Sequence, residues 1–413
     1  DGMDNNGNGL TDEPGESDPD IGFSYPRAYA VNANSSGDDF CPVVIFGNGY
    51  GSESQKAALY ILDAEKGTLL RKIDTGADNE NGLSSPALID VNMDRRVDYA
   101  YAGDLNGNLW KFDLTAEDPL HWGLAYGSDL NGDGVIDAAA GDLALPVFRA
   151  PGRSITTRPN VMRMHAQCGP QLPGFMVLFG TGRYLGASDR LQPLTDALFG
   201  VWDYGDDGDD SEVLGDLPED ADGRLSSGLR LVRQQVLGET GQGGEAFRLL
   251  SDFQPDYAVA ADSLDGDGYD RNNRKSEQDG DPLSVAGWYL ELPAEIQEGG
   301  MAAERIIQDL ELRNGMVIAA SFVPDAEACS SGGYSWLYLL GGCSGIPLKD
   351  QKGEALLPWR HPTAVSGNLI INKSDPTSSR DVLIFTDQQG KLSEKEFPGE
   401  KWGKRFWREN MIE

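Results

Sequence analysis

Leu59 to Gly67 reads LYILDAEKG: an apolar run that closes on Asp63, then an Asp-x-x-x-Gly turn ending at Gly67. That is strand, turn and strand, the local grammar of a β-propeller blade. Upstream stands Val43-Val44-Ile45-Phe46-Gly47, so an apolar run ending in Gly precedes one ending in Asp. The pairing recurs as Tyr99–Gly103 (YAYAG) with Leu109–Asp113 (LWKFD), and as Met176–Gly180 (MVLFG) with Leu198–Asp203 (LFGVWD). Looser copies are Met316–Ser321 with Trp336–Leu340, and Asp381–Thr386 with Gly390–Phe397. One such sheet cannot bury both of its faces, whereas sheets stacked around an axis can. The uneven spacing of the copies places long insertions within or between blades. Proline opens several apolar stretches, at Ser85-Pro86, Arg158-Pro159 and His361-Pro362, which is where a sheet tolerates it. The expectation is an all-β, modified β-propeller with little helix. Residues 1–22, rich in Asp, Asn and Gly, read as an acidic linker, and 23–413 as the propeller domain. The most helix-like stretch is Pro293–Asp309, but Gly299 and Gly300 break it, and no helix longer than two turns reads elsewhere.

Composition supports a packed chain. With 34 Lys+Arg against 67 Asp+Glu the formal net charge is −33, yet 8 Trp, 14 Tyr and 14 Phe are spread along the length, which a disordered acidic chain lacks. The carboxylate excess argues against nucleic acid or an anionic membrane face as main partner and points to cations. No stretch approaches the roughly 18 consecutive apolar residues of a spanning helix. The sequence opens on Asp1 and is read as starting inside a longer reading frame.

The cysteines are Cys41, Cys168, Cys329 and Cys343, with no CxxC and no zinc spacing. Cys329 and Cys343 flank a Gly-rich segment, and a disulfide there would close a loop of about 15 residues worth roughly 3 kcal/mol in an oxidising compartment. Pairing of Cys41 with Cys168 is the weaker expectation, and free buried thiols are the alternative.

Calcium takes about 6–8 oxygen ligands, and alternating Asp/Asn lets a loop wrap side chains at positions one, three, five and nine, with the carbonyl of position seven. The strongest fit is Asp129, Asn131, Asp133, Val135 (carbonyl) and Asp137, with Gly134 at the sharp turn. Asp90, Asn92, Asp94, Arg96 (carbonyl) and Asp98 keep every acidic ligand but put Arg95 at the glycine position. Asp4, Asn6, Asn8, Leu10 (carbonyl) and Asp12 match with neutral amides in place of carboxylates. Asx-rich turns also form without metal, because these side chains bond their own backbone. The cluster Asp262–Asp270 is off-register and reads as a solvated loop, and the crowded like charges of Asp206–Asp210 read as a solvated turn.

Catalytic signals are thin. His121, His165 and His361 form no ligand pair. Gly180-Thr-Gly182-Arg-Tyr-Leu-Gly186 misplaces the third glycine of a dinucleotide fingerprint and reads as a β-turn, and Gly333-Tyr-Ser335-Trp-Leu337 lacks the closing glycine of a nucleophile elbow. The competing functional reading is a secreted quinoprotein-like propeller dehydrogenase, which also uses calcium. Against it, the adjacent cysteine pair common in those enzymes is missing.

Taken in order, Asp90–Leu114 (DVNMDRRVDYAYAGDLNGNLWKFDL), Val177–Ser188 (VLFGTGRYLGAS), Gly287–Pro293 (GWYLELP), Ser331–Leu337 (SGGYSWL) and Gly403–Glu409 (GKRFWRE) resemble the C-terminal domain of the PilY/PilC proteins of type IV pili. The resemblance implies a modified propeller of about seven blades. It further implies a non-enzymatic, calcium-binding module, exported through periplasm and outer membrane to the extracellular pilus tip. There it would sit on minor pilins, promote assembly, oppose retraction, support twitching motility and adhesion, and meet a host or surface receptor. The family's regulatory calcium loop maps onto Asp90, Asn92, Asp94, Arg96 and Asp98, with Arg95 where many members carry a small residue.

Overall fold

The computed structural model describes residues 18–35, 41–164, 168–169, 172–190, 195–203, 213–217, 223–242, 245–257, 285–297, 300–325, 332–349, 353–365, 370–372 and 380–398. Within them the regular elements are strands, apart from three single-turn 3-10 segments. No helix among the described residues is long and apolar enough to cross a membrane. The chain divides into two compact units, residues 1–159 with 206–216, and residues 160–205 with 217–413.

In the first unit β1 (Tyr29–Ala33), β2 (Cys41–Gly47), β3 (Ala58–Asp63) and β4 (Leu69–Asp74) form an antiparallel meander. Its β2–β3 pair joins the runs Val43–Gly47 and Leu59–Asp63, and Gly67, at φ 71°, lies in the turn that carries β3 into β4. Next come β5 (Ala87–Ile89), β6 (Tyr99–Gly103), β7 (Asn108–Asp113) and β8 (Gly123–Leu124). β6 pairs with one edge of β7, while β8 and β11 (Phe148–Arg149) pair with the other. Between them β9 (Gly127–Ser128) and β10 (Leu143–Ala144) make a short antiparallel ladder. The turn joining β6 to β7 is pinned by one buried carboxylate. Asp104 accepts the N–H groups of Asn106 and Asn108, the side-chain amides of Asn81 and Asn108, and Trp110 Nε1, all at 2.6–3.0 Å. Such a charge is tolerable in the core because its lone pairs are met. Ile45, Leu59, Ile61, Phe112 and Trp122 fill the core beneath, each worth about 1.5–3 kcal/mol in transfer from water. Residues 18–20 of the expected linker are already part of this unit: Tyr60 Oη donates to Asp18 Oδ2 at 2.6 Å, and Lys72 pairs with both Asp18 and Asp20.

In the second unit Asn160–Arg163, Phe175–Gly180, Ala197–Asp203, Val285–Glu291 and Arg230–Gln234 lie side by side in that order, the last pair parallel. A larger sheet orders Val236–Gln242, Glu245–Leu250, Trp359–His361, Gly333–Gly341, Met316–Ala320 and Glu311–Arg313. A third contains Ile370–Asn372, Arg380–Thr386 and Leu392–Pro398. Every expected strand pair in this unit therefore forms. Beneath the larger sheet Glu304 accepts from Tyr338 Oη at 2.7 Å and is ion-paired to Arg248, whose guanidinium stacks 3.8 Å over Trp336.

Two expectations are corrected, on Pro362 and on the disulfide. The described residues of Pro293–Asp309 carry no helix: Ala294–Gln297 and Gly300–Ala303 pair as antiparallel strands. Pro362 follows the strand Trp359–His361 instead of opening one, whereas Pro86 and Pro159 do precede strands. The disulfide joins Cys168 to Cys343, with a Cα–Cα distance of 5.5 Å, and Cys41 is a free thiol. Cys168 and Cys343 follow strands of two different sheets and pack against the same core cluster, which brings them within bonding reach despite their distance in sequence. Cys329 lies outside the described residues.

The two motifs set aside as non-catalytic have structural roles. The Thr181–Arg190 loop is held from inside by Arg305, which donates to the carbonyls of Arg183, Asp189 and Arg190. Ser335 sits mid-strand and accepts the Val365 N–H at 2.9 Å.

Candidate metal centre

The two expected calcium loops within the described residues are both hairpin connections, 90–98 between β5 and β6 and 129–142 between β9 and β10. In the first, Asp90 accepts the N–H groups of Met93 (2.6 Å) and Arg95 (2.8 Å) on its two oxygens. Asn92 Oδ1 accepts Asp94 N–H and Asp94 Oδ1 accepts Arg96 N–H, at 2.9 and 2.8 Å. In the second, Asp129 accepts Gly132 and Gly134 N–H at 2.6 and 2.7 Å, Asn131 accepts Asp133 N–H at 2.8 Å, and Asp133 accepts Val135 N–H at 2.9 Å. The two frameworks match position for position. They also need the left-handed backbone at the same places: φ is 63° and 72° at Met93 and Arg95, and 80° and 84° at Gly132 and Gly134. Glycine meets that demand freely; Met93 and Arg95 do not.

The loops diverge at their ends. Asp98, buried at the foot of the first, accepts Val91 N–H (2.6 Å) on one oxygen and the Asn34 amide (3.2 Å) on the other. The corresponding acceptor in the second loop is Asp142, which takes Leu130 N–H at 2.9 Å and Asp137 N–H at 3.1 Å. The Asp137 N–H holds the Asp142 carboxyl below the ordinary carboxylate range. Asp137 itself turns away. It pairs with Arg71 at 2.9 Å and caps the 3-10 turn Ala138–Ala140 through Ala139 N–H. Burial raises its pKa, against which Ala139 N–H and Arg71 act. Among the described residues, Asp129, Asp133 and Asp142 are the carboxylates close enough to share an ion, one oxygen of each lying within 4.8 Å of the others. The structure does not draw Asp90, Asp94 and Asp98 together to that degree.

Asp142 stands where counting along the motif put Asp137. The 3-10 turn between them inserts the extra residues, and Gly141 closing that turn at φ 97° was the available signal. The donor set of both loops is oxygen throughout, without His or Cys, which suits a hard cation such as calcium. Each framework N–H occupies one lone pair of its acceptor and leaves another for an ion. The residues fit the metal. The third loop, Asp4, Asn6, Asn8, Leu10 and Asp12, lies outside the described residues, as do 206–210 and 262–270.

Short antiparallel strands linked by such hairpin loops define the class, an all-β protein of propeller type. The PilY1 beta-propeller domain matches over residues 8–240, more than half of the chain, and the chain belongs to that family. It is 30% identical over 397 residues to the type IV pilus biogenesis factor PilY1 of Pseudomonas aeruginosa strain PAO1, covering 91% of this chain and 30% of that protein. It is 29% identical over 378 residues to a PilY1 homolog of Xylella fastidiosa, covering 88% and 21%. The chain thus spans less than a third of the length of these relatives. Its fold is similar to the crystal structure of the Pseudomonas aeruginosa PilY1 C-terminal domain, with a TM-score of 0.64 at 23% identity over 92% of this chain and 73% of that one.

Proposed function

We propose that this chain is a non-enzymatic, calcium-binding module of a type IV pilus. In this reading it docks on minor pilins at the extracellular tip, promotes assembly, opposes retraction, and supports twitching motility and adhesion to a surface. Membership of the PilY1 propeller family supports the pilus context. The carrying observation for the metal is the shared N–H framework that holds Asp90 and Asp129 at the head of two matched loops.

Bound calcium supplies the positive charge that lets three carboxylates share one small volume. The chain's own part is to hold those oxygens ready: Asn34 fixes Asp98, and the N–H groups of Leu130 and Asp137 fix Asp142. Because the folded loops hold the ligands together and an extended chain does not, metal stabilises the fold by mass action, by about 2.7 kcal/mol at a hundredfold excess over Kd. The melting temperature is therefore expected to rise on adding calcium and to stop responding in a D94A/D133A variant. Identical wild-type curves with calcium and with chelator would remove the metal from the proposal. The pilus role is tested by deleting the corresponding segment in its host and counting surface pili; unchanged piliation and motility would overturn it.

A further inference from the structure

We propose that the two loops bind calcium cooperatively, coupled through β7 and the aromatic cage around Lys111; this rests on the calcium reading above. Loop 90 ends at Asp98, and β6 begins at the next residue, Tyr99, paired along one edge of β7. Asp98 is itself tied to the far end of β7, since its carbonyl accepts Leu114 N–H at 2.8 Å. Loop 129 is attached to the other edge. β8 pairs with Phe112 and Asp113 of β7, Leu124 of β8 bridges Ile136 inside the loop, and Ala125 N–H donates to the Lys111 carbonyl at 3.0 Å. One strand therefore anchors both loops, one from each side.

The side chain of Lys111 makes the same link across the sheet face. It is almost fully buried, and its ammonium stands 4.5 Å from the ring of Tyr99, 5.8 Å from Tyr101 and 5.3 Å from Tyr126. Tyr99 adjoins the last ligand of loop 90, and Tyr126 lies three residues before Asp129, the first ligand of loop 129. A cation among three ring faces is attracted to each and has a preferred position relative to all of them. Ordering either loop fixes one wall of the cage and so part of the other loop's foundation. The second ion then meets a framework whose ordering cost has already been met, which is cooperativity without a large structural change.

The test is isothermal titration with calcium alone on the whole chain, comparing wild type, D94A, D133A and K111M. Coupling in the usual range predicts that D94A weakens binding at loop 129 about fivefold or more, and that D133A weakens loop 90 by the same factor, because coupling is reciprocal. In K111M, which keeps the volume and removes the cation, each loop should still bind and its affinity should no longer depend on the other. If K111M does not fold, the reciprocity of the two aspartate variants decides alone. Two bound ions whose affinities ignore each other's loop would overturn the coupling and leave the calcium reading standing. No binding in wild type would overturn both.

Discussion

At Asp142 the carboxyl is held below its ordinary value of 3.8 by the N–H of Asp137, with Leu130 and Asn131 N–H adding to the effect. The folded state therefore binds this proton more weakly than the unfolded chain does. Stability from Asp142 is complete above pH 3.8 and is lost as the pH falls through the lower folded value. An Asp142→Asn variant should flatten the acid limb of a urea-midpoint-against-pH curve measured in chelator. Asp137→Asn should not flatten it, because burial shifts the Asp137 carboxyl the opposite way. If D142N kept the wild-type acid limb, the N–H groups would not be holding the carboxylate as the structure places them. This pair also marks where sequence spacing stops being informative. Both are aspartates near the end of one motif, and only the 3-10 turn at Ala138–Ala140 and the ion pair to Arg71 decide which faces the loop.

Hairpins are the elements that the sequence makes legible, because their signals are local: an apolar run, a Gly or Asp stop, a second run. Tyr99–Gly103 with Leu109–Asp113 falls out that way. Pro293–Asp309 does not, since an apolar and acidic mixture fits either period until the pairing Ala294↔Ala303 is seen. The calcium loops are elements of the same kind, and the first places Arg95 where the backbone is left-handed, at φ 72°. That conformation costs a side-chain-bearing residue about 1–2 kcal/mol, and glycine's greater freedom in the unfolded chain returns part of the difference. Arg95→Gly should thus raise metal-free stability by roughly 0.5–1 kcal/mol in urea denaturation and tighten calcium binding by a few-fold. A loss of stability would show that Arg95 makes contacts worth more than its backbone strain.

Over the whole molecule, −33 of formal charge belongs to a chain whose cores are built from Trp, Phe and branched aliphatics, with carboxylates such as Asp104 and Glu304 buried on hydrogen bonds among them. What no local pattern reveals is long-range connection, and the Cys168–Cys343 bond, separated by 175 residues, is the clearest case. Cross-linking so long a loop restricts the unfolded chain by about 5 kcal/mol on the entropy model. A C168S/C343S variant should lose stability up to that amount in chemical denaturation, with little change at the calcium loops. Loss of calcium binding in the same variant would contradict this expectation. The connectivity has a further consequence for how the protein matures. A chain delivered N-terminus first into an oxidising space presents Cys41 and Cys168 before Cys329 and Cys343. The native bond joins the second of these to the fourth and leaves the first as a thiol. Oxidation in order of arrival would pair the wrong two, so the native bond follows from folding, which brings residues 168 and 343 together, and not from the order of synthesis.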